Sequence, residues 1–167
     1  MKTNITIVGL AKEYTKKVAK EFADKLDMYY ADITDLIQFD LIDVEKAEKT
    51  CGKEYIRNLE ATKIKTVSSY DNSVITVNFH ALNSEKNLKY IKENTLLIYL
   101  RLDKDNLKKK LNLDINKDAQ AKLAESVFDD RDFILSRICD VIINVKDLSD
   151  NKVVKLIGKS ILDYYKG

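Results

Sequence analysis

The sequence predicts an α/β protein, a three-layer α/β/α sandwich around a five-stranded parallel sheet. Two observations carry this. Short apolar runs alternate with longer stretches of helical period along the 167 residues. The runs are apolar at nearly every position rather than at alternate ones, as strands covered on both faces are.

Taken in order, Ile5–Val8 is the first strand. A helix follows, in which Tyr14, Val18, Phe22 and Leu26 recur at every fourth position with Ala19 and Ala23 alongside. Met28–Tyr30 is the second strand, and from Ile33 to about Lys49 the residues Leu36, Ile37, Leu41 and Val44 share one side of a single predicted helix. After Gly52 another helix runs from Glu54 to about Val67, and Val74–Val77 is the third strand. Asn83 and Ser84 are suitable caps for a helix reaching Lys92. Leu96–Leu100 and Val141–Val145 complete the sheet, and a last helix spans about Asp150 to Tyr165, with Ser149 as its expected cap. The most polar stretch, KDNLKKKLNLDINKDAQAK, is expected to be mobile. No linker or internal repeat interrupts residues 1–167, which read as one domain.

Composition narrows the function. Hydrophobic residues make up 45% and charged residues 34%, the balance of a folded soluble protein. A net charge of +2 does not suggest a nucleic-acid binder. There is no bilayer-length apolar run and no secretory leader pattern, so no membrane partner is expected and the cytoplasm is the expected location. Cys51 and Cys139 are far apart and lack metal-ligand spacing, so they are expected to be reduced thiols, and no metal site is expected.

In a parallel sheet, ligands sit beyond the carboxyl ends of the strands. The stretches to search are therefore Gly9 onward, Ala31–Asp35, Asn78–His80 and Arg101 onward. An apolar strand, a glycine and then a helix is the setting of a phosphate loop, G-x-x-x-x-G-K-[ST]. Here Tyr14, Thr15 and Lys16 stand where the second glycine, the lysine and the hydroxyl residue belong. Glycine lets a backbone wrap closely around phosphate, and the chain has only four.

Five landmarks occur in order. They are Gly9; YYADITDLI, with Asp32 and Ile37; GKEYIRNLE, with Gly52, Arg57 and Glu60; SVITVNFHAL; and RDFILSRICDVIINV, with Arg131 and Asp140. Over nearly its whole length the chain resembles the shikimate kinases, small P-loop enzymes that move the γ-phosphate of ATP to a shikimate hydroxyl with Mg²⁺. The resemblance implies a P-loop nucleoside-kinase type of fold. It puts Gly9, Thr15 and Lys16 at the nucleotide-binding positions and Arg57 and Arg131 at the two that clamp the substrate carboxylate. Thr34 falls where a second aspartate contacts shikimate, and Asp32 where the family's carboxylate lies near the Mg²⁺ waters, making Asp32 the catalytic candidate.

The departures from the family pattern are systematic. Lys12 and Tyr14 replace glycines, and Tyr14 is expected to put its ring where a β-phosphate would lie. Lys16 is one residue out of place, and one residue turns a helical side chain by roughly 100°. Asn78-Phe79-His80 replaces a Gly-Gly-Gly turn, Thr34 cannot act as a carboxylate base, and the lid-like segment of about 108–126 is short and lacks the family's signature arginine. By contrast, two of only four arginines fall at the clamp positions, and only arginine pairs a carboxylate bidentately.

Structural roles compete at each position. Arg57 can pair with Glu60 or Glu54, Arg131 with Asp129, Asp130 or Asp132, and Asp32 can cap a helix. His80 can be a packing residue, and Lys108–Lys110 a solvated face. The expected function is a shikimate kinase-like protein that has lost ATP binding and phosphoryl transfer, a pseudoenzyme or interaction module with a relic carboxylate pocket. Its partners would be a small acid such as shikimate, a protein, or a second copy of itself. No cofactor is expected on that reading. The alternative is a working shikimate kinase, or a kinase of a related acid, with an unorthodox phosphate loop, and it alone calls for Mg-ATP. Nucleic-acid binding through the lysine-rich segment is set against by the near-neutral charge.

Overall fold

The computed structural model describes residues 2–111 and 119–167. Among them five strands form one sheet: β1 (Asn4–Gly9), β2 (Tyr29–Asp32), β3 (Ser73–Thr76), β4 (Thr95–Arg101) and β5 (Val141–Asn144). All neighbours are parallel, in the order β2-β3-β1-β4-β5. The helices are α1 (Lys12–Lys25), α2 (Ile33–Leu41), α3 (Val44–Cys51), α4 (Lys53–Ser68), α5 (Phe79–Leu82), α6 (Glu85–Asn94), α7 (Lys104–Leu111), α8 (Ala119–Ile138) and α9 (Asp150–Lys166).

The sheet is covered on both faces, which is why most positions of its central strands are buried and apolar. Successive side chains of a strand point to opposite faces. Ile5 and Ile7 of β1, with Leu96, Ile98 and Leu100 of β4, join Val18 and Phe22 of α1 and Val153 and Ile157 of α9. Val8, Leu97 and Tyr99 join Ile64 of α4, Ile91 of α6 and Leu135 of α8 on the other face. These two cores form the predicted three layers, and each predicted strand is present with its ends slightly shifted.

Polar groups inside the sheet are paired. The Thr6 and Thr95 hydroxyls lie 2.8 Å apart between the central strands. The Asn4 side chain donates to the Ser68 carbonyl at 3.1 Å and to the Tyr70 carbonyl, and it accepts the Ser73 N–H at 3.1 Å. It thereby ties the start of β1 to the turn that leads into β3.

Several helical expectations are corrected. The single helix expected over 33–49 is two, α2 and α3. Ile42 breaks it with φ +60°, and the Asp43 N–H donates to the Leu41 carbonyl at 2.5 Å, closing a γ-turn. Asp43 then caps α3 by accepting the Lys46 N–H at 2.9 Å. Its short carboxylate competes with the helix backbone more effectively than continued apolar period can. Residues 104–111, part of the stretch expected to be mobile, form α7, held by the Asp103 cap on Asn106 N–H (2.8 Å) and by buried Leu107. Of the lid-like segment 108–126, residues 112–118 lie outside the described residues. Ser84, not Asn83, caps α6, and Ser149 sits at the cap position of α9 without a side-chain bond.

Candidate functional site

Chain direction creates the cleft. β1 and β3 are neighbours, but β1 leads to α1 on one face and β3 to α5 and α6 on the other. A crevice opens where such connections part, beyond the carboxyl ends of the strands. It has a volume of about 140 Å³. Gly9, Leu10, Lys12, Thr15 and Lys16 line it from the β1 side, Thr76 to His80 from the β3 side, and Asp32 and Arg131 complete the wall.

Only Leu10 and Ala11 separate β1 from α1. Thr15 therefore lies within the first turns of a regular helix, and both its N–H and its hydroxyl donate to the Ala11 carbonyl at 2.9 Å. A Cβ added at Gly9 would run into the Thr15 hydroxyl oxygen and come within 3.4 Å of the Leu100 carbonyl. Close approach to Thr15 is thus what requires glycine here.

Tyr14 departs from expectation, because it is not among the residues lining the cleft. With α1 beginning at Lys12, position 14 shares a helical face with Val18 and Phe22 and packs into the same core as α9. Its hydroxyl is buried with no partner among the described residues, and the Lys110 ammonium lies 4.4 Å from the ring centroid. Burial pushes the phenol up to about 12, and the Asp150 and Glu21 carboxylates push the same way. Phe79, by contrast, does line the cleft.

At the floor, Asp32 is the N-cap of α2, accepting the Asp35 N–H at 2.9 Å. Its other oxygen accepts the Thr76 hydroxyl at 2.6 Å. Because Thr76 donates there, its oxygen is left to accept from the Tyr30 hydroxyl 3.0 Å away. Burial raises the Tyr30 phenol to about 12. Lys16 reaches this floor from α1, with its ammonium 2.7 Å from Asp35 Oδ1 and 4.0 Å from Asp32 Oδ1.

The two arginines expected at the clamp positions stand in adjoining depressions. The Arg131 guanidinium packs 5.1 Å from the Phe79 ring centroid. Two of its neighbouring carboxylates are engaged elsewhere. Asp132 accepts from Arg101 at 2.8 and 2.7 Å and from the Tyr99 hydroxyl at 2.9 Å, while Asp129 pairs with Lys104 at 2.9 Å. Arg57 is exposed on α4, in an open groove of about 980 Å³ shared with Glu60 and Asn83. Burial raises the Glu60 carboxyl above its ordinary value, against the pull of the Asn78 amide and Arg57. His80 lines both depressions and so stands between the arginines. Thr34 is half-buried and lines neither.

Sequence reasoning missed Thr76 and Tyr30, and the pairing of Arg101 with Asp132. The signal for Thr76 is register, since Asp32 and Thr76 are paired neighbours across β2 and β3, and register between distant strands is not written in either one. Among the described residues there is no group of three metal-ligating side chains and no helix long and apolar enough to cross a membrane.

The shikimate kinase family model matches residues 16–162. A shikimate kinase from Chromobacterium violaceum is 30% identical over 118 residues, 67% of this chain, and the match spans 64% of that enzyme's length. Among solved structures, shikimate kinase from Acinetobacter baumannii in complex with shikimate superposes with a TM-score of 0.79 at 16% identity, covering 96% of this chain and 93% of that one. Shikimate kinase from Aquifex aeolicus gives 0.78 at 18%, covering 98% and 99%. At such identities the structural likeness is one of fold. The matched sequence takes in Lys16, Asp32, Arg57, His80 and Arg131, the residues that meet around the cleft and groove, and the chain belongs to the shikimate kinase family.

Proposed function

We propose that this protein binds a small carboxylic acid between Arg57 and Arg131 without transferring phosphate to it, and serves as a binding or interaction module. The observation that carries this is the start of α1 at Lys12, which turns the Thr15 hydroxyl and N–H onto Ala11. Phosphoryl transfer is almost wholly positioning and electrostatic stabilisation by groups left free to face the phosphates. Here Lys16 is engaged with Asp35, and both Asp32 oxygens accept bonds from within the chain. A donor set so occupied does not fit a magnesium–triphosphate group. Pockets for ligands of drug or cofactor size run to roughly 300 Å³ and more, against about 140 Å³ for this cleft.

Support for the acid comes from the other half of the site. The Acinetobacter baumannii relative is in complex with shikimate. Arg57 and Arg131 form no ion pair among the described residues, so their planar forks are available to a carboxylate. Thermal unfolding with shikimate, and separately with Mg-ATP, tests the proposal. A rise in Tm with shikimate that disappears in Arg57→Ala, with no rise for Mg-ATP, is the expected result. A nucleotide-dependent rise, or ADP release on adding shikimate, would sink it.

A second reading, a working shikimate kinase, is favoured by one feature. Lys12 and Lys16 both line the cleft beside Gly9, so cationic side chains are present at its mouth. Shikimate-dependent ADP release in a coupled assay would establish that reading.

A further inference from the structure

Lys16 differs from the lysine beside it. Its side chain is 19% exposed, against 62% for Lys17. Lys16 lines the cleft, and its ammonium lies 2.7 Å from the half-exposed Asp35 carboxylate and 4.0 Å from that of Asp32, the N-cap of α2. Asp32 is 5% exposed at its side chain, so water cannot relieve its charge, and Asp35 adds a like charge three residues away. The donors on Asp32 are neutral: the Asp35 N–H and the Thr76 hydroxyl. The N-terminus of α2 offsets part of the charge. Among the described residues, Lys16 is the cation within ion-pair distance of both groups.

We propose that the Lys16 ammonium is a resident counter-ion for the Asp32 and Asp35 carboxylates, standing where an external cation would otherwise be drawn from solution to the buried carboxylate at the cleft floor. Opposite charge within a few ångströms stabilises a buried carboxylate, and a tethered ammonium supplies it without a binding equilibrium. The Lys16 side chain responds in kind. Partial burial works against its charge, but the Asp35 hydrogen bond and the charges of Asp32, Asp35 and Glu13 outweigh it and hold the pKa above that of an ordinary lysine. An exposed surface pair would contribute little and would leave no cation-sized vacancy on removal. Removing a counter-ion leaves without a cation two carboxylates that both lay within 4.0 Å of it.

The inference concerns the same cleft as the proposed function. It is tested with metal alone and no nucleotide, so either can fail without the other. Thermal unfolding is compared in MgCl₂ and in NaCl of equal ionic strength. The wild type should melt alike in both. Lys16→Met, which keeps the stem and removes the charge, should melt roughly 3–6 °C lower in NaCl and recover most of that loss in millimolar MgCl₂. Lys16→Arg should behave as wild type, and Lys17→Met, which breaks the pair with Asp150, should show no Mg²⁺ response. The double variant Lys16→Met/Asp35→Asn has one carboxylate fewer to neutralise, so it should fold and lose the response, and it serves if Lys16→Met alone does not fold. A wild type stabilised by Mg²⁺ overturns the assignment. So does a Lys16→Met protein whose Tm ignores Mg²⁺ or equals that of wild type, or a double variant that keeps a Mg²⁺ response.

Discussion

The Arg131 guanidinium rests 5.1 Å from the centre of the Phe79 ring while Asp132, its sequence neighbour, is held by Arg101. The contact holds the guanidinium beside the ring without consuming its N–H donors, which remain available to an incoming carboxylate. Arg131→Lys keeps the charge but loses both the plane and the fork. It should fold normally and lose the shikimate-dependent rise in Tm. A lysine variant that responds to shikimate as wild type does would show that the fork is not used.

Asp32 is predicted to matter for stability whether or not any reaction occurs. Asp32→Ala removes the cap of α2, worth about 1 kcal/mol, and takes one of its two partners from the buried Thr76 hydroxyl, costing about 1 kcal/mol more. Asp32→Asn retains an acceptor and should lose about half as much. Urea denaturation measures both, and an Asp32→Ala protein as stable as wild type would remove the structural role.

Gly9 and Thr15 should be energetically coupled. Gly9→Ala forces a methyl into the Thr15 hydroxyl and should cost about 2 kcal/mol or more through overpacking. Removing that hydroxyl in Gly9→Ala/Thr15→Ala relieves the worst contact, leaving the Thr15 Cβ at 3.3 Å. The double variant should therefore be less destabilised than the sum of the singles, by about 1 kcal/mol in a double-mutant cycle. Strict additivity would contradict the packing described.

Much of the fold was legible because burial on two faces writes itself into single strands. Leu96–Leu100 is apolar throughout, and Ile5–Val8 all but Thr6, since each alternate residue meets a different core. The α2–α3 break was not legible, because Ile42 continues the apolar period although it is 92% exposed; the signal lay in Asp43, a cap residue inside an apparent helix. The site was readable as positions and not as contacts. Gly9, Thr15, Lys16, Asp32 and Arg131 all meet at the cleft, whereas the partners of Lys16 and Asp32 depend on strand register and helix rotation, which no local pattern specifies. Tyr14 was placed wrongly for the same reason. Where α1 begins decides which face its ring takes.

Acid should weaken the fold through Asp132. The two Arg101 hydrogen bonds hold its carboxyl below the usual range, burial opposes them, and the Tyr99 hydroxyl assists. A carboxyl depressed on folding contributes its full stability above the unfolded value, near pH 4, and loses it as pH falls through the folded value. The urea midpoint should therefore drop between pH 7 and pH 3 by more in wild type than in Asp132→Asn. Equal drops would assign the acid sensitivity elsewhere.

Ile42 carries strain with no packing in return. A β-branched residue at positive φ is disfavoured, and its side chain is exposed. Ile42→Gly should raise stability by about 1 kcal/mol, less the entropy glycine adds to the unfolded chain. A higher urea midpoint at unchanged slope is the expected reading, and a lower one would mean that the side chain has a partner.

The protein contains one histidine, and that residue forms the wall common to the two hollows. Its imidazole C–H protons give a single, unambiguous pair of NMR resonances. Any molecule entering from either side must shift that pair, so occupancy of both compartments can be followed by one spectroscopic probe without labelling or mutation.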